Sequence, residues 1–331
     1  MDNINVVSLF DGISSGKLAL DVDGIIVNSY YASEIDKHAL KVSKHHHKDI
    51  IHIGDVRSLC LSDFPYVVHL LIGGSPCQSF SFSGKRNGMS TKDNIKILTL
   101  DHYLYLKEQG YEFEGQSYLF WEYIRILRLL KPKYFLLENV VMQKEWEAVI
   151  TETLGVKPIK INSALVSAQN RQRLYWTNIP GVTQPEDKNI SLYDILETDD
   201  LINPAAIRGR KLNKATILGR RLNERGCRDD YNKSIPISQC LEVRATNINK
   251  SNCLTTVQKD NVLTTLPIGR YPDAFKLKLP FRYYTVKECC RLQTVSDNYF
   301  EGIVSDSQAI KMLGNGWTID VIAWILSFIK K

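Results

Sequence analysis

Apolar and polar positions divide the chain into short, continuously apolar runs and longer segments with helical spacing. The runs at residues 5–10, 25–33, 50–53, 67–72 and 134–140 predict buried parallel strands, since a strand covered on both faces shows little alternation. Residues 15–20, 36–42, 117–130 and 144–154 between them predict helices. In 117–130 the apolar face is Leu119, Phe120, Tyr123, Ile124, Leu127 and Leu130, and Pro132 stops the helix. Strands and helices alternating in this way predict an α/β fold with a doubly wound, Rossmann-like sheet. Residues 158–161 and 164–166 read as further strands. Residues 169–177 read as a strand that puts Gln169, Arg171 and Arg173 on one face, because strand side chains repeat every second residue.

From residue 180 to 279 the periodicity weakens and Asn, Arg, Lys, Asp and Thr dominate, which suits a small lobe of loops and short strands. The apolar pattern resumes at Tyr284, where Thr285 and Glu288 have capping-box spacing. Helices are expected over 306–313 and up to about 329. The apolar Val321, Ile322, Trp324, Ile325 and Phe328 suggest a return to the first domain's core. The expected domains are therefore 1–179 plus 280–331, and a second, smaller one at 180–279. Residues 79–115 are long and polar, with a helix expected over 94–108, and suit a loop that closes over a site.

The hydrophobic share of 44% and the charged share of 24% are those of an ordinary globular protein of 331 residues. A net charge of +6 is compatible with a polyanionic partner without demonstrating one. The seven cysteines form no Cys-x-x-Cys pair, and Cys289 and Cys290 are adjacent, which favours free thiols in a reducing compartment. No signal peptide and no apolar run of membrane-spanning length stand out, so a cytoplasmic protein is expected, or a nuclear one if the source is eukaryotic. The run His45-His46-His47 lacks the supporting ligand spacing of a metal site, and no metal is expected.

The chemistry centres on residues 71–81. The apolar run ends at Gly73-Gly74, turns at Ser75-Pro76 and presents Cys77 at the carboxyl end of a strand, where ligands bind in open α/β sheets. Cys77 then suits a nucleophile, or else a small packing residue. Three further runs end at Gly12, Glu34 and Asp55 on the same sheet edge. Glu34 suits a ribose hydroxyl and Asp55 an adenine amino group, so an adenosine-type cofactor is favoured. The first turn is not Gly-x-Gly-x-x-Gly, which disfavours a nicotinamide cofactor and an oxidoreductase. Glu138 ends the next strand, where burial should favour its protonated form and let it serve as an acid. Arg171 and Arg173 suit a phosphate or a polar base edge. The basic stretch with Arg208, Arg210, Lys211, Lys214, Arg220, Arg221, Arg225 and Arg228 suits a nucleic-acid surface or a solvated face.

Taken in order, these motifs resemble those of the DNA cytosine-C5 methyltransferases. Phe10-Asp-Gly-Ile resembles the cofactor loop, Pro76-Cys77-Gln78 the nucleophile motif, and Glu138-Asn139-Val140 the acid motif. Gln169-x-Arg171-x-Arg173 resembles the arginine motif, and Arg291-Leu-Gln293 and Gly314-Asn315 the last two blocks. The Asp11-Gly-Ile turn and Trp317 look closer to the de novo eukaryotic branch, while Pro-Cys-Gln and the compact chain look microbial or viral. The sequence departs from the family at Ser14 and Ser15, at Gln116-Ser117, and at Trp317-Thr318.

The resemblance implies a class I methyltransferase sheet with a target-recognition domain. It implies methyl transfer from S-adenosylmethionine to C5 of a flipped-out cytosine in double-stranded DNA, through a Cys77–C6 adduct. Catalytic roles fall to Cys77, Glu138, Arg171 and Arg173. Cofactor contacts fall to Phe10, Asp11, Gly12, Ile13, Ser15, Glu34, Ile35, Asp55, Val56, Gly74, Pro76, Leu119, Asn315, Gly316 and Trp317. DNA contacts fall to Gln78, Ser79, Ser81, Lys85, Arg86, Gln169, Arg208, Arg210, Arg220 and Arg221. A monomer is expected, and a cognate restriction endonuclease is a partner the resemblance allows. A transfer-RNA cytosine methyltransferase and a catalytically silent DNA-binding homologue remain the alternatives.

Overall fold

The structure is a computed structural model and describes residues 3–77, 80, 88–198, 212–224, 227, 229, 231–245 and 249–330. It divides into two compact units. The first comprises residues 1–162, 172–185 and 319–331, and the second comprises residues 163–171 and 186–318.

The first unit is built on seven strands: β1 (Ile4–Leu9), β2 (Val27–Ser33), β3 (Ile51–His52), β4 (Leu70–Gly74), β5 (Tyr134–Val140), β6 (Ile159–Asn162) and β7 (Gln172–Thr177). Their order is β3-β2-β1-β4-β5-β7-β6. The strands β1 to β5 are parallel to one another, whereas β7 runs antiparallel to both β5 and β6. The chain winds outward from β1 to β3, then crosses to the other side of β1 for β4 and β5. The carboxyl ends of β1 and β4 therefore flank the topological switch point, where an α/β sheet opens a ligand crevice. The expected doubly wound α/β sheet is the one observed.

Helices α1 (Ser15–Val22), α2 (Lys37–His46), α3 (Leu100–Glu108), α4 (Phe120–Leu130) and α5 (Lys144–Leu154) accompany this sheet. Two glycines set the packing distance. A Cβ on Gly16 would lie 2.2 Å from Ile72 Cδ1 and 2.7 Å from the Tyr30 hydroxyl, so only glycine lets α1 sit this close to β4 and β2. A Cβ on Gly73 would approach Leu9 O to 3.0 Å and the Tyr123 ring to 3.1 Å, which presses β4 between β1 and α4. Val7, Leu9, Leu71, Leu137, Phe120, Trp121, Trp146 and Trp176 belong to one buried cluster.

The second unit carries an antiparallel sheet of β8 (Asn213–Arg220), β9 (Ser238–Ala245), β10 (Val262–Thr264), β11 (Gly269–Tyr271) and β12 (Phe281–Tyr283), in the order β11-β9-β8-β10-β12. Ala215, Ile217, Leu241, Val243, Val262 and Ala274 form its small core, with the period of two that a half-covered strand requires. Helices α6 (Val286–Leu292) and α7 (Asp306–Asn315) complete it. The Thr285–Glu288 capping box at the start of α6 is present in both directions. Helix α8 (Ile319–Ser327) belongs to the first unit and packs against α1, as its apolar residues foretold.

Several expectations differ from what is observed. Residues 163–171 and 280–318 fall in the second unit, not with the large sheet. Residues 164–166 do not form a strand, because Ser163–Leu165 is a 3-10 turn. The helix expected from 94 starts at Leu100 under a Thr99 cap, since Asn94 is left-handed (φ 64°) and Ser90 and Thr91 bridge to Lys96 and Phe113. The stretch Asp306–Lys330 is, by length and apolarity, long enough to cross a membrane, contrary to the expectation. Its most apolar window is 67% buried inside the protein, and Gly316–Thr318 breaks it into two helices, as in a core segment.

Candidate active site

Parallel pairing of β4 with β5 sets Gly74 opposite Glu138. Cys77 follows three residues after Gly74, beyond a turn that leaves it half-buried, with its carbonyl accepting a bond from Phe80 N at 2.9 Å. That turn is held from the neighbouring strand. Asn139 is buried, and its Nδ2 donates to Ser75 O at 3.2 Å and to Ser75 Oγ at 3.1 Å. Cys289 and Cys290 contrast with Cys77: they are buried, and burial pushes the Cys290 thiol up to about 12 and Cys289 higher still. The thiolate is the nucleophilic form, so these two are inert packing residues.

Glu138 is 8% exposed. Its Oε1 lies 3.0 Å from Arg173 Nε, and the two side chains are diagonal neighbours across the β5–β7 ladder. The carboxylate at the strand mouth is therefore ion-paired.

Arg171 is a correction. The strand expected from residue 169 begins at Gln172, so Gln169 and Arg171 do not share a strand face with Arg173. Both lie in the second unit and are buried. Arg171 Nη1 donates to Leu254 O at 3.0 Å, and Nη2 donates to Gly314 O at 3.1 Å and Gly316 O at 2.7 Å. Gln169 Nε2 donates to Leu292 O at 2.6 Å and to Gln293 Oε1 at 2.8 Å, and its Oε1 accepts from Leu254 N at 3.1 Å. Gln169 is 0% exposed, its amide enclosed in this network. A catalytic contact by Arg171, 3% exposed with its guanidinium on three carbonyls, has no support. The pair instead fixes the turn that carries Asn315, Gly316 and Trp317. Gln293 and Thr318 extend the network: Gln293 Nε2 donates to Leu313 O at 2.6 Å, and Thr318 Oγ1 donates to Gln293 Oε1 at 2.8 Å.

The cofactor candidates of the first unit line the carboxyl ends of β1 to β4. Phe10 and Gly12 have positive φ (58° and 59°), giving a tight turn after β1. Gly12 N donates to Glu34 Oε2 at 2.8 Å, while Glu34 Oε1 accepts from Ile35 N and Asp36 N at 2.7 Å. Glu34 thus joins the ends of β1 and β2. Ile35 is 63% exposed beside it. Asp55 caps the turn Val56–Ser58 and is paired with Arg57 at 2.5 Å, which holds its carboxyl below the usual range. Gly74 and Pro76 are half-buried at the end of β4, as is Leu119 in the turn before α4.

The Asp11 side chain faces inward. It is 6% exposed, and its carboxylate accepts from Tyr30 OH and Ser14 Oγ, both at 2.7 Å. Burial raises it to about 6 despite those bonds. Its side chain therefore shapes the loop from beneath. Ile13 and Ser15 are also buried.

Sequence reasoning missed Glu122 and Arg125. Glu122 is 0% exposed and accepts from Tyr103 OH, Lys107 Nζ and Arg125 Nε, each at 2.6 Å. Arg125 Nη1 and Nη2 donate to Leu59 O and Val56 O at 2.8 Å, tying α4 to the segment after Asp55. The available signal was a Glu–Arg pair three residues apart within the apolar pattern of α4.

Among the expected DNA contacts, Gln78, Ser79, Ser81, Lys85, Arg86, Arg208 and Arg210 lie outside the described residues. Arg220 is ion-paired with Glu242 at 2.9 Å, and Arg221 Nε donates to Ile235 O at 2.9 Å. No group of three or more potential metal-ligating side chains occurs among the described residues.

The family described as C-5 cytosine-specific DNA methylase matches residues 4–331. The chain is 30% identical to the type II methyltransferase M1.ScrFI of Lactococcus lactis subsp. cremoris, over 96% of this chain and 75% of that protein. It is 24% identical to the type II methyltransferase M.NgoPII of Neisseria gonorrhoeae, over 99% and 96%. Among solved structures, the Dnmt2 methyltransferase of S. pombe shares the fold with a TM-score of 0.59 at 16% identity, over 99% of each chain. A cysteine-bearing strand end beside a paired carboxylate, on a sheet of this topology and under a family match of this length, places the chain among the C-5 cytosine-specific DNA methylases: it is a DNA cytosine-5 methyltransferase by family.

Proposed function

We propose that this enzyme methylates C5 of a cytosine swung out of duplex DNA, with Cys77 as the nucleophile and S-adenosylmethionine as the methyl donor. The observation that carries the reading is the juxtaposition of two strand ends: Cys77 follows β4, and Glu138, paired with Arg173, stands opposite Gly74 on β5. Cytosine C5 is a weak nucleophile. A bond from the Cys77 thiolate to C6 shifts the ring's electrons toward N3 and makes C5 enamine-like. Glu138 relays a proton from solvent to N3, and Arg173 keeps the carboxylate in place and offers its guanidinium to O2. Loss of the C5 proton to water afterwards restores the ring double bond and expels Cys77.

The residues present fit the donor. Glu34 keeps acceptor capacity for a ribose hydroxyl beyond its three backbone bonds, the exposed Ile35 offers apolar contact to a base, and a Cβ on Gly12 would meet nothing within 4 Å. When bound, S-adenosylmethionine supplies an electrophilic methyl group.

A duplex hides the reacting atoms, so the base must leave the stack at a cost of roughly a few kcal/mol. The second unit, rich in arginine, is the part proposed to recognise the target. The type II names of two relatives support a cognate restriction endonuclease as a partner. The test is transfer of labelled methyl from S-adenosylmethionine to duplex DNA, with the modified base mapped, for wild type and Cys77→Ala. Methylated cytosine from the wild type alone is expected. Absence of transfer to any duplex, or equal transfer by the variant, overturns the reading.

A further inference from the structure

In β9, alternate residues face away from the small core of the second unit. Leu241 and Val243 enter that core, so Glu242 and Arg244 occupy the other face. Register sets Glu242 opposite Thr216 of β8 and Arg270 of β11. Three guanidiniums converge on this one carboxylate. Arg220 Nε donates to Glu242 Oε1 at 2.9 Å. Arg244 Nε and Nη2 donate to Oε2 at 3.1 and 2.7 Å. Arg270 Nε lies 3.3 Å from Oε1.

The cluster is graded in exposure. Glu242 is 5% exposed and the Arg220 side chain 13%, whereas the side chains of Arg270 and Arg244 are 37% and 70% exposed. Burial works against the charged form of Glu242, but Arg220 and Arg244 outweigh it and hold the carboxyl down to about 2. It is therefore an anion at any working pH. Three positive charges around one negative charge leave a surplus at the sheet surface, and the buried carboxylate fixes the geometry of the two exposed guanidiniums in advance.

We propose that Arg244 and Arg270, braced by Glu242 and Arg220, clamp the phosphodiester backbone of duplex DNA. The inference rests on the proposed action on DNA and deepens it by naming the contact. A backbone phosphate suits the cluster better than a base edge. Two of the five N–H groups of Arg244, on its Nε–Nη2 side, are committed to Glu242, which leaves three on Nη1 and Nη2 facing outward with the surplus charge. Phosphate asks only for positive charge and the remaining donors.

The experiment measures DNA affinity as a function of salt concentration for wild type, Arg244→Ala, Arg270→Ala and Arg244→Lys. Each lost phosphate contact lowers the slope of log affinity against log salt by about 0.9. The two alanine variants are expected to show that decrease, with equal loss of affinity on target and unrelated duplexes, while Arg244→Lys keeps the slope. Unchanged slopes in both alanine variants overturn the clamp, and so does a loss confined to the target sequence, which marks base readout instead. If the wild type binds no duplex at all, the proposed function fails and the clamp fails with it.

Discussion

Arg173 and Glu138 sit diagonally across the antiparallel β5–β7 ladder, with Nε 3.0 Å from Oε1 and Arg173 itself opposite Val140. Cross-strand diagonals of this kind bring long side chains into contact without any turn or loop. The pair binds the acid of the proposed reaction to the arginine of the proposed base pocket, so each affects the other. Glu138→Gln is expected to lower turnover by about 10²-fold or more, the usual scale for a positioned acid, with DNA affinity little changed. Arg173→Ala should also cost stability, about 3 kcal/mol, because it leaves a nearly buried carboxylate without its partner. Steady-state kinetics and urea denaturation of the two single variants and the double variant check this. The double variant should lose less than the sum, as coupled neighbours do.

Asn139 holds the turn that carries Cys77 from the next strand through its two bonds to Ser75. Asn139→Ala is expected to cost about 1–2 kcal/mol of stability, the penalty for a buried carbonyl left short of a donor. Turnover should fall at least tenfold with the cofactor's affinity unchanged, since the loop after β1 is untouched. Ser75→Ala removes one of the two contacts and should show the smaller loss. The rate of Cys77 alkylation, read by mass spectrometry, reports the displacement of the thiol directly.

Arg171 belongs to the fold of the second unit. Arg171→Ala removes a donor from each of the carbonyls of Leu254, Gly314 and Gly316 at a fully packed site, and a loss of about 3 kcal/mol is expected. Arg171→Lys should recover only a small part, because one ammonium cannot span three carbonyls that a planar fork reaches together. Urea titration with intrinsic fluorescence measures both. An Arg171→Ala variant of full stability but no activity would instead return this residue to the chemistry.

Asp11 makes the first unit sensitive to pH. Its carboxyl is raised from 3.8 to about 6 by burial, so the folded state holds a proton that the unfolded chain has already lost between those values. Stability from this group is fully present below pH 3.8 and is lost as pH rises through about 6. A tenfold difference in proton affinity between the folded and unfolded chain is worth about 1.4 kcal/mol, so the contribution lost is on the order of 3 kcal/mol. Asp11→Asn cannot ionise. The stability of wild type minus that of Asp11→Asn should therefore decline by that amount between pH 4 and pH 7 in denaturation curves, and a flat difference would show the carboxyl ionising normally.

The strands of the large sheet, the capping box at Thr285 and the return of the last helix were legible because each rests on local signals: an apolar run, a spacing of three, a helical stripe. The ends of β1, β2 and β4 fell within one or two residues of expectation for the same reason, and with them the turns that carry Gly12, Glu34 and Cys77. The strand expected from Gln169 failed because period-two spacing cannot say where a ladder begins. Gln169 and Arg171 are drawn off by partners far away in sequence, such as Leu254 at a separation of 83 from Arg171 and Gly316 at 145. The inward turn of Asp11 was equally hidden, since it depends on Tyr30 and Ser14 meeting it beneath the loop.

The sequence by itself determined the α/β class, the order of the motifs and the residue types that the chemistry needs, because these follow from hydrophobic period and from the reactivity of thiol, carboxylate and guanidinium. Only the tertiary structure decided which of those groups meet. It paired Glu138 with Arg173, put Asn139 behind the Cys77 turn, and gathered Arg220, Arg244 and Arg270 around Glu242. The physical reason is the range of the forces involved. Hydrophobic period is written over a few adjacent residues, whereas a buried charge or amide must find partners wherever the folded backbone brings them, and strand register alone fixes that choice.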